Sequence, residues 1–443
     1  HSIRRRQRQM CIRDRCTSSL STPWPTGFSP GCRPPSLTLH RCFMDWSPSI
    51  PSDPPFGVRR LTGSPATVQA TRFASLWSDS AQPLPDLLLV LASTRTAEQP
   101  GISAAGCTPA ARRTTALADA ELLLRGPSVP PLWCLPPLPA GVSPALISWV
   151  ACQQLGLDPQ VAALGLPVSP QFPHLRFEDP GSGPAGCVSS GRAMQPKRVQ
   201  QLLDRGRRLG QRLRRPLLLA ECVPGGTTTA LAVLTGLGLP VQALVSGSAL
   251  HPPMALKQQL VSEGLSRLPG PPSIDAQALL AAVGDPFQAL ATGLLLGVLD
   301  ADQPVLLAGG SQMAAVLALA LHAVPIDRRQ QLCDRVLIGT TAWLAAERLQ
   351  AATSNSSLFT LLSNLEQHYS VSLQAYAAGL RFSASRHARL RDFEQGHVKE
   401  GVGAGGLALL AQWRGVSVDT LVQSCDRAVD QLLAAGHPGT VAP

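Results

Sequence analysis

Short, wholly apolar segments that end in a glycine turn and run into a helix recur along this chain, and they restrict its fold more than any other feature. Leu217-Leu218-Leu219-Ala220 leads through Glu221-Cys222-Val223-Pro224-Gly225-Gly226 into a predicted helix from Thr227 to about Leu237. Val305 to Ala308 ends at Gly309-Gly310, before a helix from Ser311 to about His322. Val336-Leu337-Ile338 ends at Gly339, before a helix containing Trp343 to Leu349. Leu87 to Ala92 and Val241 to Val245 complete five predicted strands, the latter ending at Ser246-Gly247-Ser248. Short apolar runs without alternation predict strands covered on both faces. Strands alternating with helices predict an α/β fold: a doubly wound, mainly parallel sheet with flanking helices and a smaller helical part. Such sheets bind ligands beyond the carboxyl ends of their strands. Here those ends carry Gly, Ser, Thr, Gln and Glu, small or polar residues suited to a nucleotide.

Two of the turns suggest chemistry. Gly225 and Gly226 leave backbone amides uncovered, and Thr227, Thr228 and Thr229 read as N-cap and first-turn residues. Free amides and the helix dipole suit an anion such as phosphate, with a plainly structural capped helix as the alternative. No Gly-Lys-Ser/Thr follows, so this is not a P-loop. The second turn is Val398-Lys399-Glu400-Gly401-Val402-Gly403-Ala404-Gly405-Gly406, four glycines in six residues behind one carboxylate. Glycines allow close backbone approach and positive φ, and a glutamate held there can take a proton from a bound small molecule. A flexible surface loop is the alternative.

Both motifs together resemble the nicotinate-nucleotide:dimethylbenzimidazole phosphoribosyltransferase family, in a divergent branch. These enzymes build the lower-ligand nucleotide of cobamides. Pro100-Gly101-Ile102-Ser103-Ala104-Ala105-Gly106, Ala308-Gly309-Gly310-Ser311-Gln312-Met313 and Gly339-Thr340-Thr341-Ala342-Trp343 extend the match, which runs from about Leu84 to the end. The resemblance implies transfer of phosphoribosyl from nicotinate mononucleotide to an aromatic base, without metal or other cofactor. It places Glu400 as the catalytic general base, at the glutamate of the family's Gly-Glu-Gly-Thr-Gly-Ala motif. Lys399 replaces the glycine there, and an ammonium beside a carboxylate predicts a lowered pKa. Glu221, Gly226, Thr227 and Thr228 match parts of the family's Gly-Glu-Met-Gly-Ile-Gly-Asn-Thr-Thr motif, from which Cys222 to Gly225 depart. With Gly225, Gly401 and Gly403 they are the expected nucleotide contacts. Gly247, Ser248, Gly309, Gly310, Ser311, Gln312, Gly339 and Thr340 are further candidates for ribose, phosphate and nicotinate. The resemblance also implies a homodimer. Another base such as adenine, or a non-catalytic nucleotide-binding protein on the same fold, stays open.

The net charge of +10 invites a nucleic-acid reading, but residues 1–16 hold +5 and residues 17–80 a further +2. Little basic charge is left for the recognisable part, so no nucleic-acid partner is expected. Arg4 to Arg15 looks like translated sequencing-adapter DNA, and Thr17 to Pro65 is Pro- and Ser-rich without periodicity. Residues 1–75 are therefore set aside as a non-native or disordered leader, and 76–443 taken as the α/β domain, its helical part from about 345. Eleven scattered cysteines with no CxxC pair suggest reduced thiols and a cytoplasmic protein, and no metal site. No run of eighteen apolar residues predicts a membrane span. Pro127 to Arg215 reads as a long Pro-rich loop followed by a solvated basic helix, Gln195 to Arg215. Gly181-Ser182-Gly183-Pro184-Ala185-Gly186 within it is G-x-G-x-x-G without a preceding strand, hence a loop. Leu407 to Ala435 reads as two amphipathic helices broken at Gly415, with Ser417 or Asp419 capping the second.

Overall fold

The computed structural model describes residues 57–436, apart from 64, 104, 107, 139, 248, 269–274, 302 and 350–354. Its centre is an eight-stranded sheet: β1 (Arg59–Arg60), β2 (Asp86–Ala92), β3 (Pro159–Leu164), β4 (Leu175–Arg176), β5 (Leu217–Cys222), β6 (Val305–Ala308), β7 (Val336–Thr340) and β8 (Gln374–Ala377). The order across the sheet is β1-β8-β7-β6-β5-β2-β3-β4, parallel throughout except for β1 against β8. From β2 the chain winds outward to β3 and β4, then returns to β5 on the other side of β2 and winds away to β8. The sheet is therefore doubly wound, with its switch point between β2 and β5.

The apolar strands behave as their composition requires. Leu88, Val90, Leu217, Leu219, Val305, Leu307, Val336 and Ile338 enter one core, and Leu87, Leu89, Leu91, Leu218, Ala220, Leu306, Ala308 and Leu337 the other. Period-2 alternation thus sends successive side chains into helices on opposite faces, and no face is left polar.

The helices that matter to the site are α1 (Val68–Ser78), α2 (Pro109–Arg125), α3 (Ala145–Leu155), α4 (Pro196–Gln211), α5 (Gly226–Gly236), α6 (Met254–Leu265), α7 (Ala276–Val283), α8 (Pro286–Val298), α9 (Ser311–Ala323), α10 (Arg329–Arg335), α11 (Ala342–Ala346), α12 (Ser357–Tyr369), α13 (Ala388–Arg391), α14 (Ala404–Trp413) and α15 (Val418–Ala434). On α4, Val199, Leu202, Gly206 and Gly210 are buried, and the arginines lie outward or partly buried. A Cβ on Gly206 or Gly210 would fall 2.0 or 2.2 Å from a carbonyl oxygen of α8, so the two backbones touch.

Several expectations need correction. Val241–Val245 is not a strand: Leu244 N donates to Val241 O, a turn, and Ala243 sits at φ 58°, outside extended backbone. Its apolar residues reflect burial in the core instead, Val241 and Val245 being 2% and 0% exposed. The segment 127–215 holds α3 and β3, and β3 pairs with β2 over six residues. Part of the leader set aside belongs to the fold. Arg59 and Arg60 pair with Ala377 and Tyr376, Phe73 is 4% exposed, and Thr67 Oγ1 donates to Asp334 Oδ1. Residues 1–56 lie outside the described residues. The part from about 345 is not purely helical, since it contributes β8. α11 is one short turn rather than a helix reaching Leu349, and α14 is buried all round rather than amphipathic. Ser417 caps α15, accepting from Thr420 N.

Candidate active site

A cavity of about 400 Å³ opens beyond the carboxyl ends of β5 and β6, beside the switch point. Glu400 lines it, and its seat is built by the glycine-rich turn 398–406. Val398 and Val402 flank it at φ 49° and 53°, a conformation that β-branched residues rarely adopt. Strain of this kind persists only where the surroundings enforce it, and it concentrates at functional sites. Four donors converge on the carboxylate. Thr340 Oγ1 (2.9 Å) and Thr341 N (2.8 Å) donate to Oε2; Gly405 N (3.0 Å) and Gly401 N (3.2 Å) donate to Oε1. A Cβ on Gly405 would lie 2.5 Å from Oε2, so glycine there makes the seat possible.

Burial nonetheless raises the Glu400 pKa, against the pull of those four hydrogen bonds. The lowering expected from Lys399 does not occur. Lys399 turns away, its ammonium paired with Glu347 Oε1 at 2.7 Å and donating to Ala249 O at 2.9 Å.

Glu221 stands at the end of β5, 6% exposed, and the two acidic segments are tied together because Val402 N donates to Glu221 O. Glu221 accepts from Val223 N at 2.9 Å and from Gln312 Nε2 at 2.8 Å. Burial, and then the nearby Asp285, push it up to about 8. The cap of α5 is Gly225 at φ 82°, not a threonine. Thr227 faces the cavity and accepts from Lys257 Nζ at 2.8 Å, while Thr229 donates inward to Asp285 and Thr228 Oγ1 is buried without a partner. Lys257, 1% exposed, also donates to Ser246 O, and burial lowers its pKa to about 7. Ser311, the first residue of α9, lines the same end. Lys257, the hydroxyls of Thr227 and Ser311 and the N-termini of α5 and α9 thus line one cavity, a set that suits a phosphate.

The cavity also has an apolar lining: Ile102, Leu135, Pro136, Leu138, Val142 and Pro144. Arg112 shapes part of this side from below, its guanidinium donating to Ala97 O, Gln99 O, Ser103 O and Gly106 O. Among the described residues no group of three or more His, Cys, Asp or Glu is placed to hold a metal ion.

Comparison with known proteins gives this geometry a family. Residues 145–335 match the phosphoribosyltransferase family model. A UPF0284 protein of Parasynechococcus marenigrum strain WH8102 is 60% identical over 350 residues, 79% of this chain and 88% of the relative. One from Prochlorococcus marinus strain MIT 9313 is 55% identical over 391 residues, 87% of this chain and 97% of the relative. The chain belongs to the UPF0284 family. Two solved structures share its fold: CobT from Thermus thermophilus (TM-score 0.51, 18% identity, 80% of this chain and 88% of that one) and nicotinate-nucleotide-dimethylbenzimidazole phosphoribosyltransferase from the same organism (0.50, 18%, 81% and 88%).

In this UPF0284 protein the predicted residues divide into two sets. Glu400, Glu221, Gly225, Gly226, Thr227, Gly247, Gly310, Ser311, Gln312 and Gly401 line the cavity together. Thr228, Gly309, Gly339, Thr340 and Gly403 do not line it. Thr340 acts through Glu400, and Gly403 lets α14 lie against Ala220, where a Cβ would be 2.7 Å away. Ser248 lies outside the described residues. Sequence reading missed Lys257, Asp119 and Ser143, which also line the cavity. A signal for the first was present: only three lysines occur in the chain, and two of them, Lys257 and Lys399, are buried at this site. Among the described residues no helix is long and apolar enough to cross a membrane.

Proposed function

We propose that this protein transfers the phosphoribosyl group of nicotinate mononucleotide to a benzimidazole-type base, giving an α-ribazole phosphate and nicotinate for a cobamide lower ligand. The observation that supports the reading is one cavity lined by Lys257, Thr227 and Ser311, by the half-buried Glu400 carboxylate, and by apolar side chains. Lys257, Thr227 and Ser311 hold the 5′-phosphate. The base lies against Leu135, Leu138 and Val142, and the anomeric carbon comes between them. A base ring nitrogen bonds to that carbon from the face opposite nicotinate, whose carbon–nitrogen bond breaks and takes its electron pair to the nicotinate ring. The base's other ring nitrogen loses its proton to Glu400, so the ribotide leaves neutral at that ring.

Glu400 is suited to this because burial holds its pKa up, and Thr340 and Thr341 fix its direction. The Thr340 hydroxyl can rotate, freeing an acceptor position on Oε2 for the incoming proton. A homodimer, on the resemblance, and a cytoplasmic setting, on the scattered cysteines, belong to the same proposal.

The test is to incubate the protein with nicotinate mononucleotide and a panel of bases, following nicotinate release and product mass. Base-dependent release with an α-linked ribotide is expected. Tight binding of the mononucleotide without release under any base would replace this reading with a non-catalytic one, in which the four bonds on Glu400 are structural.

A further inference from the structure

The apolar end of the cavity contains a group that a purely apolar base does not need. Asp119 is 6% exposed in the middle of α2, and it lines the cavity one helical turn beyond Thr115. Thr115 donates its hydroxyl to Ala105 O at 2.6 Å and to Ala111 O at 3.1 Å. Asp119 is less occupied. Ser143 Oγ donates to Oδ1 at 2.6 Å, and the Cys222 thiol, a weak donor, lies 3.4 Å from Oδ2. Two carboxylate oxygens offer about four acceptor positions, so capacity remains on the oxygen that only a thiol touches. Leu135, Val142 and Pro144 line the same cavity. A buried carboxyl among such groups is costly unless a donor reaches it. Burial holds Asp119 up to about 6, against the hydrogen bonds from Ser143 and Cys222, so in mildly alkaline solution it is an ionised acceptor.

We propose that Asp119 is a specificity-determining residue, and that the cavity is built for an aromatic base carrying an N–H or O–H donor on the ring edge remote from the nitrogen that receives ribose. The identity of that nitrogen rests on the transfer reading above; the acceptor in the apolar wall does not. A base with only methyl groups on that edge covers the Asp119 carboxylate and returns no hydrogen bond. Sites that hydrogen-bond a substrate group reject the analogue lacking it far more strongly than apolar pockets reject an extra methyl, because the buried acceptor is left unpaired.

The experiment compares 5-hydroxybenzimidazole and adenine with 5,6-dimethylbenzimidazole on the full chain. It reads kcat/KM with nicotinate mononucleotide, and equilibrium binding of each base by calorimetry. The wild type is expected to favour the donor-bearing bases by about 10- to 100-fold, and Asp119→Ala to shrink that ratio towards one. Asp119→Asn keeps the volume and removes the charge; it should shrink the ratio as well, which covers the case of an alanine variant that does not fold. A wild-type preference for the methylated base overturns the inference, as does a ratio unchanged in both variants. Binding ratios that collapse in the variants, with no nicotinate release from any base, would uphold Asp119 and sink the transfer reading. Release with an unchanged ratio does the reverse.

Discussion

Replacing Glu400 by glutamine removes the proton acceptor at nearly constant volume, but its four donors make the exchange unequal. If the amide nitrogen took the Oε1 position, it would meet two backbone N–H groups, Gly401 and Gly405, neither of which can accept. If it took the Oε2 position, it would meet Thr341 N and the Thr340 hydroxyl, and the hydroxyl can turn round and accept. The second arrangement wins, leaving one orphaned amide, that of Thr341. One buried unsatisfied donor costs about 1–3 kcal/mol. Over a chain this size that lowers Tm by roughly 1–4 °C, since the unfolding entropy scales with length. Loss of a general base lowers kcat by about 100- to 10,000-fold.

The assay is steady-state nicotinate release beside a thermal melt of the same preparation. KM for nicotinate mononucleotide should hold, because its phosphate end is anchored elsewhere; a fall in kcat alone is the signature of an interaction made in the transition state. A variant with kcat within about tenfold of wild type refutes Glu400 as the base, since even a modest general base contributes more than that. An unchanged Tm refutes the four-donor seat, whatever the kinetics.

Gly405→Ala touches no functional group, yet its Cβ would lie 2.1 Å from Thr341 N and 2.5 Å from Glu400 Oε2. It should therefore cost activity on the scale of Glu400→Gln, read in the same assay. Lys257 has its pKa lowered to about 7 by burial, and a bound phosphate raises it again. Calorimetry of nicotinate mononucleotide binding, in buffers of different ionisation enthalpy roughly one unit above that value, should show net proton uptake. Lys257→Met should lose the uptake and bind about 10- to 100-fold more weakly. Glu221 is raised from 4.5 to about 8, so its stability contribution is full below the unfolded value and lost as pH rises through the folded one. Tm should fall across that window, with Asp119 and Asp285, both raised to about 6, acting the same way. Glu221→Gln should flatten the upper part of the fall.

How much of this was legible in the sequence depends on how each residue is held. Leu217–Ala220, Val305–Ala308 and Val336–Ile338 read as strands because unbroken apolarity is what two covered faces demand. Val241–Val245 is apolar apart from Gln242 and buries Val241, Leu244 and Val245, but apolarity records burial and not ladder pairing, and Ala243 breaks the extended backbone. β3 and β8 are mixed in composition, and the two residues of β1 are arginines; their strand character comes from partners far along the chain.

The site divides along the same line. Glu221, at the end of β5, and Glu400 each stand beside a turn whose backbone requires glycine, so the sequence marks them locally. Lys257 and Asp119 project from regular helices, α6 and α2, where no local rule distinguishes a residue facing a cavity from one facing water. The proposed anion end and the Glu400 carboxylate are thus readable from motifs, while the wall proposed to meet the base is assembled by topology. That is why the sequence suggests a phosphoribosyl transfer more readily than it suggests an acceptor, and why the acceptor has to be sought in the surroundings of Asp119, whose Ser143 partner comes from a loop beyond the other end of the same helix.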